Sequence, residues 1–153
     1  MAIEQFTKAI QLDPDFADAY YNRGNAYNIL GQYETAITDY SKAIQLVPNY
    51  AKAYQNRGGA YLNLGQHRDA ITDYDKAIQL VPDYAWAYNG RGVAYSELGQ
   101  YQTAITDYTK AIQIAPDFAR GYNDRRLAYN SLGQYSLANA DETKACSLDS
   151  QYC

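Results

Sequence analysis

The strongest constraint on the fold of this chain is a repeat of 34 residues. Its four prolines follow that interval, and so does the triplet Leu-Gly-Gln, which occupies positions 30–32, 64–66, 98–100 and 132–134. A fixed period of this size is typical of stacked-repeat architectures, in which each repeat buries its apolar face against its neighbours. The prolines are Pro14, Pro48, Pro82 and Pro116.

Each repeat is predicted to form a helix, a turn and a second helix. In residues 17–50 the apolar and small residues of both halves recur at intervals of three and four, which is the spacing of a helical face. Gly31 supplies the left-handed residue that ends the first helix, and Val47-Pro48 ends the second. The residues after the prolines are expected to cap the next helix through their side chains. They are Asp15, Asn49, Asp83 and Asp117.

These residues resemble the signature of the tetratricopeptide repeat family. The matching positions in the first full repeat, which recur in residues 51–84 and 85–118, are Tyr20, Gly24, Tyr27, Ala36, Tyr40, Ala43 and Pro48. The resemblance implies an all-α, right-handed superhelical solenoid of antiparallel helix pairs, with a concave groove lined by the first helix of each pair. The fourth repeat departs from the signature at Arg126, Glu142 and Ser150.

The expected array has nine helices in about four and a half repeats. Residues 1–16 match only a second helix, 17–50, 51–84 and 85–118 are full repeats, and 119–153 form a fourth repeat with a C-terminal capping helix. An array that begins halfway through a repeat is expected to be a fragment of a longer one, with Met1 added. Its apolar edge at Ile3, Phe6 and Ile10 provides one functional hypothesis, self-association into a homo-oligomer; association as an artefact of truncation is the alternative.

Two recurrent features are explained best by packing. Four arginines each precede an aspartate by 16 residues, which places the two on facing helices of one repeat and predicts an ion pair. A catalytic or anion-binding row of arginines is the alternative. Gly92 recurs with Gly24 and Gly58 and is predicted to lie where two helices cross closely. A phosphate loop around Gly90 lacks the preceding strand and the third glycine. The predicted pairs are Arg23–Asp39, Arg57–Asp73, Arg91–Asp107 and Arg125–Asp141.

The residues that differ between repeats cluster on the first helices, at positions that face the groove in this family. Amides there can hydrogen-bond an extended peptide, and Lys52, Trp86 and Arg120 share one position in successive repeats. A tryptophan between two cations suits a peptide with an acidic residue and a hydrophobic or proline anchor; packing of Trp86 on the neighbouring repeat is the alternative. The predicted groove residues are Tyr21, Asn22, Asn25, Lys52, Gln55, Asn56, Trp86, Asn89, Gly90, Arg120 and Asn123.

A known mode of binding in the family is not supported. Some members hold the C-terminal carboxylate of chaperones with lysine, asparagine and arginine side chains from three repeats. This chain has Tyr21, Trp86 and Gly90 where the lysines and the arginine would stand, although Asn25 and Asn56 fit. The alternatives are therefore a peptide-binding groove of other specificity and the self-association surface.

Other classes of function lack the residues they require. A formal net charge of −4 argues against sequence-independent binding of nucleic acid, and no run of 18 apolar residues predicts a membrane span. His67 is the single histidine, so neither a catalytic set nor a metal site is expected, and no cofactor. Cys146 and Cys153 would lie about 10 Å apart on one helix, too far to bridge unless its last turn unwinds, so free thiols are expected. A cytoplasmic location is favoured.

Overall fold

The computed structural model describes residues 2–153, and within them it contains nine α-helices and no strands. A 3₁₀ turn at Ser150–Tyr152 follows the last helix. The predicted all-α class and the helix pairs of a tetratricopeptide-type array are confirmed. The helices are α1 (Ala2–Leu12), α2 (Ala17–Ile29), α3 (Tyr33–Leu46), α4 (Ala51–Asn63), α5 (His67–Leu80), α6 (Ala85–Glu97), α7 (Tyr101–Ile114), α8 (Ala119–Ser131) and α9 (Tyr135–Leu148).

The chain divides into two compact units. The N-terminal unit spans Met1–Val81 and includes α1 to α5, and the C-terminal unit spans Pro82–Cys153 and includes α6 to α9. In the first, α2 packs on α3 and α4 on α5, while α1 contacts α2 and α3 contacts α4. In the second, α6 packs on α7, α8 on α9, and α7 contacts α8. No described helix is long and apolar enough to cross a membrane.

The turns between paired helices use glycine as predicted, but the helix starts differ from prediction. Gly31 has φ +73°, a left-handed conformation that leaves room for a sharp exit from α2. The expected capping by Asp15, Asn49, Asp83 and Asp117 is wrong, because the residue at each N-cap is the next one, a tyrosine or phenylalanine without a side-chain capping bond. The preceding turn, closed by Tyr50 N–H donating to Val47 C=O at 3.1 Å, places these polar residues one position too early.

Close helix crossing in the pairs α2–α3, α4–α5 and α6–α7 depends on a glycine facing a buried tyrosine. A Cβ atom at Gly24 would lie 2.8 Å from the ring of Tyr40, and one at Gly92 would lie 2.7 Å from the ring of Tyr108. Both tyrosines are almost fully buried, and burial raises their phenol pKa values. The glycines therefore allow the rings to pack directly on the backbone of the partner helix, as the repeat pattern predicts.

Each predicted arginine lies against its aspartate in a bidentate arrangement. Arg57 donates from Nε and Nη2 to the two carboxylate oxygens of Asp73, both at 2.7 Å. Its Nη1 donates to Ser41 Oγ of α3 at 2.9 Å, so one guanidinium connects its own helix pair with the preceding helix. The same bidentate geometry joins Arg23 to Asp39, Arg91 to Asp107 and Arg125 to Asp141.

The expectation of free thiols is wrong, because Cys146 and Cys153 form a disulfide. The helix α9 ends at Leu148, and the 3₁₀ turn reverses the chain toward it. Their Cα atoms consequently lie 4.8 Å apart, about half of the separation that a continuous helix would give. The condition that the last helical turn unwinds is therefore met.

Candidate functional site

In the N-terminal unit, the predicted groove residues form an internal hydrogen-bond network. The carbonyl oxygen of the Asn25 side chain accepts from Tyr40 Oη at 2.8 Å and from Asn56 Nδ2 at 2.7 Å. The same Nδ2 atom donates to Tyr21 Oη at 3.1 Å. These amides therefore connect α2, α3 and α4 to one another, a role that their residue types did not indicate.

Tyr21, the tyrosine outside the repeat pattern, belongs to an aromatic cluster in this network. Its ring centroid lies 4.9 Å from that of Tyr50 and 6.0 Å from that of Tyr40. Tyr50 Oη donates to Asp18 Oδ1 at 2.7 Å. Lys52 is exposed in the first turn of α4. The remaining groove predictions of this unit, Asn22 and Gln55, are half-buried.

In the C-terminal unit, Trp86 lies on α6 with half of its surface open to solvent. Its side chain is 52% exposed, although its ring packs edge-to-face on Phe118 with centroids 4.7 Å apart. Arg120 projects from the first turn of α8, and its guanidinium lies 3.5 Å from the carboxylate of Asp124. Trp86 therefore both packs on a neighbour and retains an accessible face, so the two interpretations of this residue are compatible.

Asn89 and Asp124 form a buried polar pair beside these residues. Asn89 is 2% exposed, and its Nδ2 donates to Asp124 Oδ2 at 2.8 Å. Burial raises the pKa of the Asp124 carboxyl, and the hydrogen bonds from Asn89 and Arg120 oppose the rise. The buried Oδ1 of Asn89 has no hydrogen-bond partner among the described residues.

Two further predicted groove residues, Asn123 and Gly90, lie in this unit. Asn123 accepts from Arg126 Nη2 at 2.9 Å and is half-buried, so its side-chain oxygen already has a partner. Gly90 is half-buried in the middle of α6. Arg126, which departs from the family signature, is thus held on α8 by its own helical neighbour.

Trp86 and Arg120 line one depression of about 520 Å³ in the C-terminal unit. The sequence placed these two together because they occupy one position in successive repeats. It did not indicate the other walls, which come from the loop before α8 and from the segment after α9. No residue pattern indicates that these segments approach Trp86. The additional lining residues are Asp117, Phe118, Ala119, Leu148, Asp149, Gln151 and Tyr152.

The described residues form no candidate metal centre. They contain no group of three or more histidine, cysteine, aspartate and glutamate side chains placed to hold a metal ion. His67 is the first residue of α5, and its buried Nδ1 has no hydrogen-bond partner among residues 2–153, which the structure describes. The depression beside Trp86 is therefore the site that we consider further.

Comparison with family models defines the class of protein that this helix arrangement represents. Models described as TPR repeat and Tetratricopeptide repeat match residues 6–38, 24–65, 60–99 and 85–118. The chain belongs to the tetratricopeptide repeat family. A stretch of 35 residues is 51% identical to an uncharacterized protein of Methanocaldococcus jannaschii, and it covers 23% of this chain and 41% of that protein. This chain thus matches less than half the length of that curated relative.

Three solved structures illustrate the particular proteins that the chain resembles. The crystal structure of MamA is 30% identical, covers 97% of this chain and 87% of its own, and has a TM-score of 0.87. The first TPR of Spaghetti (RPAP3), bound to the HSP90 peptide SRMEEVD, is 29% identical over 76% of this chain and 93% of its own, with a TM-score of 0.74. YrrB, described as a TPR protein with an unusual peptide-binding site, is 21% identical over 96% and 76%, with a TM-score of 0.78; at that identity it shows the fold alone.

Proposed function

We propose that this chain is a protein–protein interaction scaffold that binds a peptide segment of a partner at the face that carries Trp86. The observation that supports this most directly is the half-exposed indole at the edge of a depression that also includes Arg120. Tryptophan and arginine are the residues most enriched at binding hot spots. Family membership and the peptide complex of the RPAP3 repeat support the same general role.

The exposed indole of Trp86 favours a peptide that contributes an apolar side chain. The HSP90-type carboxylate clamp is not proposed, because Tyr21, Trp86 and Gly90 occupy the positions of its cationic side chains. In the N-terminal unit, the side chains of Asn25 and Asn56 bond to each other and to Tyr40, so they connect α2, α3 and α4 and are not offered as contacts for this peptide.

Replacing Trp86 by alanine is the test of this function. Short random peptides displayed on phage would be selected on the immobilised chain, and the affinity of a selected peptide measured by calorimetry. We expect Trp86→Ala to weaken binding by about 2 kcal/mol, roughly 30-fold, because it removes the largest accessible apolar surface of the face. Gln102→Ala, an exposed change on α7, is the matched control and should leave the affinity unchanged.

Two results would contradict the proposal. One is a selection that yields no peptide above background on a chain with the expected helix content. The other is a Trp86→Ala variant that retains full affinity but melts at a lower temperature. That second pattern would assign the indole to packing against Phe118 alone.

A second candidate function, self-association, is supported by the exposed character of α1. No residue of this helix is buried, and Ile3, Phe6 and Ile10 are only half-buried. Leu12 at its end is 79% exposed. An apolar helix face of this kind is suited to docking on a second copy of the chain.

Light scattering distinguishes this candidate. If α1 mediates a dimer, Phe6→Asp should convert it to a monomer, because a charge on the shared apolar face is costly to bury. Lys8→Asp, an exposed position on the same helix, should leave the dimer intact. A wild-type chain that is monomeric at high micromolar concentration would remove self-association as a function of this surface.

A further inference from the structure

The depression beside Trp86 is lined by aromatic and acidic side chains in addition to Arg120. Trp86, Phe118 and Tyr152 contribute aromatic rings, while Asp117 and Asp149 contribute carboxylates. The rings come from α6, from the loop before α8 and from the 3₁₀ turn after α9. Aromatic faces carry a negative electrostatic potential that attracts cations, so rings and carboxylates favour the same kind of ligand.

The cation that lines the depression does not cancel this preference. Arg120 lies 3.5 Å from Asp124, so that pair is neutral as a whole. Asp149 accepts hydrogen bonds at its two oxygens from the backbone N–H and side-chain Nε2 of Gln151, at 3.0 and 2.6 Å. Both donors are uncharged, and the negative charge of Asp149 remains beside the depression. With the exposed Asp117, the net charge of the lining is negative.

The wall formed by residues 148–152 is connected to α9 by the disulfide. The hydrogen bonds of residues 149–153 in the structure are local, with partners within residues 145–153. Two examples are Tyr152 N–H to Asp149 C=O at 3.1 Å and Cys153 N–H to Ser150 C=O at 3.2 Å. These bonds shape the turn locally, and none of them reaches α6 or α8. The link between Cys146 and Cys153 closes the turn covalently, which reduces the number of positions it can adopt.

We propose that this depression is a subsite for a lysine or arginine side chain, and that the Cys146–Cys153 disulfide holds its outer wall in place. The basic side chain would lie against the indole of Trp86 and the ring of Tyr152, with its charge toward Asp117 and Asp149. The inference rests on the proposed function only in that the basic side chain belongs to a partner peptide.

Reduction of the disulfide then weakens the subsite. A thiolate of a dithiol reductant attacks one sulfur and forms a mixed disulfide, and its second thiol displaces the remaining protein sulfur. The protein gains two electrons and two protons as Cys146 and Cys153 thiols, and the reductant leaves as a cyclic disulfide. Residues 149–153 are then connected to α9 through the chain itself and the hydrogen bond from Asp149 N–H to Ala145 C=O, so Tyr152 spends less time at the depression.

The fluorescence of Trp86, the single tryptophan of the chain, provides the test without a peptide partner. N-acetylarginine amide and N-acetyllysine amide would be titrated at constant ionic strength, with excitation where tyrosine does not absorb. We expect a saturable change with Kd in the millimolar range. N-acetylglutamine amide and N-acetylglutamate amide are the matched neutral and acidic probes, and they should bind several-fold more weakly.

Variants separate the contributions of charge and disulfide. Asp149→Asn should weaken the arginine probe about threefold, and Arg120→Gln should strengthen it, whereas Glu97→Gln at the far end of α6 should have no effect. Dithiol treatment should weaken binding about fivefold in the wild type. It should change nothing in the Cys146→Ser/Cys153→Ser variant, which should bind like the reduced protein and keep its helix content by circular dichroism.

Tighter binding of the glutamate probe, lost in Arg120→Gln, would overturn the cationic subsite. Equal affinity of the oxidised and reduced wild-type chains would overturn the role of the disulfide. Absence of any saturable change would refute the subsite as a whole. Phage-selected peptides could still bind in that case, so the failure of this inference is distinguishable from failure of the proposed function.

Discussion

Replacing Arg57 by leucine is expected to lower the free energy of unfolding by about 3–5 kcal/mol, because it leaves a buried carboxylate without its counter-ion. Asp73 is 4% exposed, and each of its carboxylate oxygens accepts a hydrogen bond of 2.7 Å from the guanidinium of Arg57. The substitution also removes the bond to Ser41 on α3 and the stacking of the guanidinium over Tyr54, whose ring centroid is 5.6 Å away. The substitution therefore removes contacts to α3 and α5, and one to Tyr54 on its own helix α4.

Urea unfolding followed by circular dichroism measures this effect, and two variants control for its cause. Arg126→Leu removes an arginine bonded to a neutral amide of its own helix, so its cost should be below about 1 kcal/mol. The double variant Arg57→Leu/Asp73→Leu should recover much of the loss, since both charges are then absent. Unchanged unfolding of Arg57→Leu with loss of peptide affinity would instead assign the arginines to anion binding.

The sequence was sufficient to predict these pairs because they depend on local periodicity. An arginine and an aspartate 16 residues apart lie on two helices whose lengths and turn are set by a repeating pattern, so their meeting requires no long-range information. The same reasoning holds for Gly24 and Tyr40, whose contact in α2 and α3 recurs with every copy of the signature. Repetition makes each inference in one repeat a check on the others.

The predictions that failed depended on details outside this periodicity. Asp15 and its equivalents are predicted to be the N-cap residues, but each lies one residue before the N-cap. The N-cap of α2, for example, is Phe16. Cys146 and Cys153 were placed on one continuous helix, whereas α9 ends at Leu148. Element boundaries are set by individual hydrogen bonds, which residue types indicate only to within a few positions.

The candidate site was predictable in part for a related reason. Trp86 and Arg120 share one repeat position, and the structure brings both to one depression. By contrast, the side chains of Asn25 and Asn56 are bonded to each other, at 2.7 Å. An amide suited to a peptide backbone is equally suited to another amide, and the choice depends on side-chain packing across helices that a sequence pattern does not specify.

Replacing Gly92 by valine should destabilise the chain by about 3 kcal/mol, because the helices α6 and α7 would have to move apart. A Cβ at this position lies 2.7 Å from Tyr108 and 3.2 Å from the backbone oxygen of Ala104. The tyrosine ring is 2% exposed and cannot move into solvent without leaving the core. The oxygen belongs to the α7 backbone, so neither contact can be relieved by a flexible side chain.

Gly59→Ala is expected to raise the free energy of unfolding, whereas Gly92→Val lowers it. The pair of variants therefore tests whether the close helix crossing causes the loss at Gly92. A Cβ at Gly59 meets only the Tyr74 hydroxyl, at 3.7 Å, which is ordinary contact. Alanine there should stabilise α4 by about 0.5–1 kcal/mol through its higher helix propensity. Thermal and urea unfolding of both variants measure the difference. Similar behaviour of the two would mean that helix propensity decides the outcome at Gly92, and that the close crossing of α6 and α7 does not require glycine.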